Sequence, residues 1–282
     1  MTQGTATRAV PATGAGPLVP AYLKRIGLAE PVEATLAGLR VLHAAHVAAI
    51  PFENLDILLG RRISLDLDHL RAKLVERRRG GYCFEQNTLL LAVLRELGFT
   101  ATPMEARVRA GATAILPRTH MVVVVQLGSD EWLADVGFGG DGPLEPVSMR
   151  AADADDYPGA YRVLPEGAQR VLQTRSPSGW VDLYAFLPER VHPVDFEVAN
   201  WYTSTHPQSR FVLTLTAQRS TRDVRYVLRY PTYSEIRGAD VRTREIGRSE
   251  LLPLLKETFL IDLAAGTTFA VLDGPPAGRA PV

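Results

Sequence analysis

The sequence predicts an α+β protein in three successive parts: helices first, then an antiparallel sheet or small barrel, then a mixed α/β segment. Three observations carry this reading. Residues 21–98 set their apolar side chains at helical three- and four-residue steps. Residues 100–187 change to short apolar runs broken by Gly, Pro and Asp, and beyond 193 the two patterns mix. With 282 residues, 46% hydrophobic and 22% charged, the chain has ample material for a core. Its 31 basic residues balance 31 acidic ones, which removes the positive field that a duplex-binding protein uses against phosphates, so no nucleic-acid partner is expected.

In the first part, Leu36, Leu39, Val41 and Leu42 open one helix and a second runs from about 67 to 76. Between them, Ile50-Pro51-Phe52-Glu53-Asn54-Leu55-Asp56 reads as a loop with apolar anchors, because proline biases the residue before it away from helix. A third helix begins near Cys83; Leu90, Val93, Leu94 and Leu97 share one face, and Gly98 stands where a C-terminal cap belongs. Strands are expected at 104–108, 121–127, 132–136 and 180–187. A connecting helix follows over 193–205, then strands over 211–217 and 224–230 and a helix from about 249 to 260. The matching division is a flexible tail over 1–20, a helical domain over 21–98, a barrel domain over 99–192, an interdomain helix over 193–210 and a lid over 211–282.

The tail mixes Thr, Ala, Gly and Pro and lacks the apolar stretch of a secretory signal. The longest aliphatic run, 89–94, is far short of the roughly 20 residues that cross a bilayer, so no membrane partner is expected. Cys83 is the only cysteine, which excludes an intrachain disulfide and any zinc site needing two thiolates. A reducing, cytoplasmic compartment fits that usage.

The chemistry concentrates in Arg79-Gly80-Gly81-Tyr82-Cys83-Phe84-Glu85-Gln86-Asn87, which sets the thiol in the first turn of a helix just after two glycines. Unpaired N–H groups and the helix dipole favour a thiolate there. Cys83 then has two readings, a prepared nucleophile or a small buried hydrophobe. A nucleophile needs a base, and the base a third group to orient it. His120 opens a strongly apolar strand and Asp135 lies in the next; both are costly to bury unless they pair, either as members of a Cys–His–Asp set or merely to satisfy a core. His43 and His46, three apart on a helix with no third ligand nearby, point to packing or capping rather than to a metal site, and no metal is expected. His69 reads as solvated, and His192 and His206 as loop residues before prolines. Arg79 and Glu53 are either a buried ion pair behind the Cys83 loop or two exposed charges.

Register offers a geometric test of the His–Asp pair. Gly128-Ser129 suits a two-residue type II′ turn with Gly at positive φ. A hairpin closed there sets Leu127 opposite Asp130 and Val122 opposite Asp135. His120 is then diagonal to Asp135 on one face, with about 7–8 Å between Cα atoms. A turn one residue further on would face Asp135 with Val124 and break the pair.

Taken with Pro51-Phe52-Glu53-Asn54-Leu55, Thr119-His120 and Asp135-Val136-Gly137-Phe138-Gly139, the Cys83 motif resembles the arylamine N-acetyltransferases, in that family's order and over about 22–269. The resemblance implies a helical bundle, an antiparallel β-barrel and an α/β lid around a cysteine-protease-like Cys–His–Asp core. It implies Cys83 as acetyl-accepting nucleophile, His120 as base, Asp135 as its orienter, and Thr119, Phe138 and Gly139 lining the acetyl-CoA and amine pocket. The implied activity is ping-pong acetyl transfer from acetyl-CoA to arylamines, arylhydroxylamines or hydrazines. The alternative on the same scaffold is an amide synthase that closes a macrolactam from a carrier-bound acyl chain. A thiol hydrolase or transglutaminase-like enzyme would share the Cys, His, Asp order without the motif around Cys83, and a small-molecule sequestering module would leave the triad idle.

Overall fold

The computed structural model describes residues 17–150 and 160–273. Most of the expected tail, 1–16, lies outside the described residues, but the chain is helical from Leu18, earlier than expected. Leu18, Val19, Tyr22, Leu23 and Ile26 recur at helical spacing and are buried, which is what holds this first helix, α1 (Leu18–Ile26), against the rest. Next comes α2 (Leu36–Ala49), capped by the Thr35 hydroxyl, which accepts from Gly38 N at 3.2 Å.

The Ile50–Asp56 stretch is not a plain loop. It holds β1 (Phe52–Glu53) and the short α3 (Leu55–Leu58). The strand exists because Gln218 and Ala217, far along the chain, pair with Phe52 and Glu53, a cause that local sequence does not contain. After it, α4 (Leu67–Leu70) runs on as a wider π-helical turn over Arg71–Glu76, and α5 (Cys83–Glu96) carries the cysteine at its first position. Gly98, at φ 87°, ends α5 as expected.

The central part holds β2 (Thr100–Val108), β3 (His120–Leu127), β4 (Asp130–Ala134), β5 (Val147–Ser148), β6 (Tyr161–Glu166), β7 (Gln169–Ser176) and β8 (Gly179–Phe186). They form one antiparallel sheet in the order β5-β4-β3-β2-β8-β7-β6, whose two edges approach each other to make a nearly closed barrel. The strand β3 is buried on both faces: Met121, Val123 and Val125 pack toward the helices, Val122 and Val124 toward the barrel interior. The hairpin register is the expected one. Leu127 faces Asp130 and Val123 faces Ala134, Gly128 takes φ 62°, and Asp135 falls one residue past β4. Parity then turns His120 and Asp135 to the interior face shared by Val122 and Leu133.

The connecting helix α6 (Pro193–Thr205) has the expected bounds. The segment expected as a strand over 211–217 instead splits into a helical turn, α7 (Arg210–Leu213), and β9 (Thr216–Ser220). Ser209 caps the turn by accepting from Phe211 N at 3.3 Å, which outweighs the β-preference of Phe211 and Val212. Then β9, β10 (Arg225–Arg229), β11 (Thr232–Arg237) and β12 (Asp240–Glu245) continue outward from β1 in a five-stranded sheet. The helix α8 (Arg248–Glu257) covers it, burying Leu251 and Leu255 against Leu228 and Tyr233.

Candidate active site

The N-terminus of α5 meets the barrel where β3 begins and β4 ends, and three side chains converge there. His120 Nε2 lies 2.7 Å from Asp135 Oδ2. The other ring nitrogen, Nδ1, is left for Cys83, which lies close enough to His120 to help raise its pKa and whose thiol donates to the Thr119 carbonyl at 3.7 Å. Cys83, His120 and Asp135 are 4%, 2% and 1% exposed, so each charge here must be balanced by a neighbour rather than by water.

Asp135 is held from several sides. Asn87, one turn beyond Cys83 on α5, donates from Nδ2 to Asp135 Oδ1 at 2.8 Å and to the Met121 carbonyl at 2.7 Å, while its Oδ1 accepts from Val136 N at 3.1 Å. Gly137 N also donates to Asp135 Oδ1, at 2.9 Å. Burial works against the carboxylate's charge, yet His120, Asn87 and Gly137 together hold its pKa below the usual value. Burial likewise opposes charge on His120, but Asp135 outweighs it with help from Cys83 and raises the imidazole to about 10. The resting site therefore favours an imidazolium wedged between Asp135 and the Cys83 sulfur. The His120 ring is clamped by Tyr184, with centroids 4.9 Å apart, and by Phe138 edge-on at 5.3 Å.

Gly137 shows how tightly the two parts meet, since a Cβ there would lie 2.7 Å from Cys83 Cα and 2.8 Å from Asn87 Nδ2. The loop beyond it is tied to β9 and β10 of the C-terminal sheet. Gly140 N donates to Gln218 Oε1, and Arg225 donates to the carbonyls of Gly140 and Gly142 and to the Tyr161 hydroxyl. Gly139, at φ 87°, leaves no room for a Cβ beside Gln218. A narrow pocket next to Asp135 is lined by Phe52, Phe138, Gly139, Gln218 and Arg219.

The start of α5 rests on buried charges. Arg79 Nη2 is 2.7 Å from Glu53 Oε1 and its Nη1 is 3.2 Å from Asp56, while Lys73 Nζ sits 3.0 Å from Asp56 and 2.7 Å from Glu85. Glu85 also accepts from Tyr82 N at 3.2 Å, capping the helix one residue before Cys83. Burial opposes both cations, but the surrounding carboxylates raise the pKa of each. Burial pushes Glu85 up, with Lys73 only partly restoring it. Of the two readings of Arg79 and Glu53, the buried ion pair is correct.

The structure brings Cys83, His120 and Asp135 together, with Thr119 next to Cys83, Phe138 against the His120 ring and Gly139 near Asp135 in the narrow pocket. Sequence reasoning assigned nothing to Asn87 or Tyr184. Asn87 sits inside the quoted cysteine motif at a one-turn spacing from Cys83, a signal that was there to use; Tyr184 arrives from β8 with no local signal. His43 and His46 are buried in α2 and His69 is exposed; His206 stacks on Tyr202. Among the described residues no three His, Cys, Asp or Glu side chains cluster as a metal site requires, and no helix is long and apolar enough to cross a membrane. His192 borders a cleft of about 1530 Å³ between α5, β2, α6 and the 57–67 segment, far larger than the narrow pocket beside Asp135, and it includes none of the triad residues. Size alone would have pointed away from the chemistry.

A thiol at a helix start beside a buried histidine–aspartate pair is an arrangement suited to cysteine-dependent acyl transfer. Comparison gives the family. A family profile described as N-acetyltransferase matches residues 35–268. The arylamine N-acetyltransferase of Mycolicibacterium smegmatis is 40% identical over 250 residues, covering 86% of this chain and 91% of that protein. The arylamine N-acetyltransferase / N-hydroxyarylamine O-acetyltransferase of Salmonella typhimurium is 41% identical over 193 residues, 68% of this chain and 69% of that protein. The structure of Mycobacterium marinum arylamine N-acetyltransferase in complex with CoA superposes with a TM-score of 0.80 at 34% identity, covering 86% of this chain and 92% of that one. The chain belongs to the arylamine N-acetyltransferase family.

Proposed function

We propose that this protein transfers an acetyl group from acetyl-CoA to an arylamine in two steps through Cys83, with His120 as the proton carrier and Asp135 as its orienter. The observation that carries the reading is the buried 2.7 Å His120–Asp135 hydrogen bond directly beside the Cys83 helix start. In the first step the Cys83 thiolate adds to the acetyl thioester carbonyl. The Cys83 S–C bond forms, the bond to the CoA sulfur breaks, and the departing thiolate takes the proton of the His120 imidazolium. His120 is now neutral and able to act as base. In the second step the amine nitrogen attacks the acetyl-cysteine, its proton passes to His120, and Cys83 leaves as a thiolate with the imidazolium restored.

The half-buried Thr119, Phe138 and Gly139 form the approach to Cys83, and Phe138 with the neighbouring Phe52 offers apolar faces to a flat ring. An arylamine nitrogen is neutral at pH 7 and attacks without first losing a proton. Hydroxylamine oxygens and hydrazines meet the same requirement and are further acceptors under this reading. Intact-protein mass spectrometry tests it: one acetyl adduct on mixing with acetyl-CoA, absent in Cys83→Ser and lost on adding an aniline, is expected. No adduct from acetyl-CoA, with adducts only from long-chain thioesters, would overturn the donor assignment and favour the amide synthase.

A further inference from the structure

The catalytic scheme leaves unexplained a buried line of side chains running from α1 through α2 into α5. Tyr22 OH lies 2.7 Å from His46 Nδ1, and His46 Nε2 lies 3.0 Å from Gln86 Oε1. Gln86 Nε2 donates to the Gly81 carbonyl at 2.8 Å and to the Pro51 carbonyl at 3.2 Å. All three side chains are buried.

The directions of these bonds are fixed by elimination. Gln86 must present its NH2 to two carbonyls, so its oxygen faces His46 and can only accept. His46 therefore carries its proton on Nε2 and donates it, leaving Nδ1 bare to accept from the Tyr22 hydroxyl. Every side-chain N–H and O–H donor in the line is used. Burial pushes the His46 pKa down to about 3, so this tautomer persists across neutral pH.

What the line holds is the backbone beside the nucleophile. Gly81 lies two residues before Cys83, and the strap at 51–53 runs parallel to it: Gly81 N donates to the Pro51 carbonyl at 3.3 Å, and Glu53 N to the Gly81 carbonyl at 3.0 Å. Both carbonyls that receive the Gln86 amide belong to this junction. If the amide turned by half a rotation, its oxygen would face two carbonyl oxygens and the junction would be forced open.

We propose that His46 is a positioning residue for the Cys83 nucleophile, acting through Gln86 by locking the amide orientation that holds the Pro51 and Gly81 carbonyls together. This rests on the reading of Cys83 as the nucleophile. It also gives α1, remote from the reaction, a defined part in it through Tyr22.

Two substitutions separate positioning from packing. His46→Gln keeps an N–H close to the place of Nε2, while His46→Leu keeps similar bulk without one. The rates to measure are alkylation of Cys83 by iodoacetamide at pH 7 and single-turnover acetylation by acetyl-CoA, with thermal melting to certify the fold. His46→Leu is expected to slow both by about tenfold or more while folded, with His46→Gln restoring most of the loss, since small displacements of a reacting group carry penalties of this size. Equal rates for His46→Leu and wild type, or no rescue by His46→Gln, would overturn the proposal. If His46→Leu does not fold, the wild-type protein and His46→Gln decide it. Imidazole ¹⁵N shifts showing protonation at Nε2, with alkylation largely retained in His46→Gln, support it; protonation at Nδ1 rejects it. Alkylation needs no acetyl donor, so wild type that alkylates but takes no acetyl would count against the proposed function and not against this one.

Discussion

The Cys83 segment and the His120–Asp135 hairpin meet at one point but are fixed by different kinds of structure. The hairpin is local: the two-residue turn at Gly128-Ser129 and the apolar alternation of β3 agree on one register, and the register sets which side chains share a face. The Cys83 segment is assembled from afar. Its supports come from Tyr22 on α1, His46 on α2, Glu53 on β1, Asp56 on α3, Lys73 beyond α4 and Asn200 on α6, whose side-chain oxygen accepts from the Tyr82 hydroxyl. A base that only has to face its partner can rely on strand pairing. A nucleophile that must also sit at a helix dipole needs its backbone held in three dimensions, and only distant side chains can do that.

The largest expected effect falls on the nucleophile itself. Cys83→Ser leaves the supports untouched but replaces the thiol with a far less acidic hydroxyl, so acetyl transfer should fall by about a thousandfold or more with an unchanged melting temperature. Loss of rate together with loss of fold would mean that the thiol is structural after all. Steady-state turnover with an aniline and a thermal melt measure both.

Asp135→Asn probes the hairpin side. Without the carboxylate, His120 loses both its orientation and the charge that raises it, and a loss on the order of a thousandfold in kcat/KM is expected. Stability should respond with a definite pH dependence. The raised His120 stabilises the fold fully below its unfolded value near 6.5, and that contribution fades as pH rises toward about 10. The lowered Asp135 stabilises above its unfolded value of about 3.9 and loses that contribution as pH falls through the folded value. The stability gap between wild type and Asp135→Asn should therefore be widest between roughly pH 4 and 6.5 and shrink on either side. Urea melts at several pH values would show it; a gap that grows toward pH 10 would contradict the buried ion pair.

Arg79→Ala against Arg77→Ala sharpens the contrast from the other side. Arg79 is buried between Glu53 and Asp56, whereas Arg77, two residues earlier, is exposed. Removing Arg79 leaves the Glu53 carboxylate buried without its ion-pair partner, while Asp56 keeps Lys73, at a cost of about 3–5 kcal/mol, and Arg77→Ala should stay within about 0.5 kcal/mol of wild type. Equal midpoints in urea would show that the charge cluster does not carry the segment.

The same contrast explains what could be read from the sequence. The three-part order, α5 with its Gly98 stop, α6 and the β3–β4 register all follow from patterns within some twenty residues, where periodicity, caps and turn chemistry act. Elements fixed by distant partners were not legible. Examples are β1, which exists through Gln218 and Ala217, and β12, whose residues are all exposed and so show no alternation. The site divides in the same way. Cys83, His120 and Asp135 were accessible from local motifs; Tyr184 and the Lys73–Glu85 contact required the fold.

The smallest effect tests whether register and stability can be separated within the hairpin. Gly128 sits at φ 62°, which an L side chain adopts only with strain, yet a Cβ built there meets nothing within 4 Å. Gly128→Ala should therefore cost only the backbone penalty, about 1 kcal/mol, and lower the melting temperature by a few degrees. The apolar alternation of β3, with Val122 and Val124 inward and Val123 and Val125 outward, still demands the same pairing, because a slip of one residue would turn the charged pair out of the interior. Activity at 25 °C should accordingly remain within about twofold of wild type despite the lower stability. Gly137→Ala is the control with the opposite signature, since its Cβ would collide with Cys83 Cα and the Asn87 amide and so strike the triad directly. If Gly128→Ala lost activity as severely as Gly137→Ala, the turn rather than the side-chain pattern would be what holds His120 against Asp135.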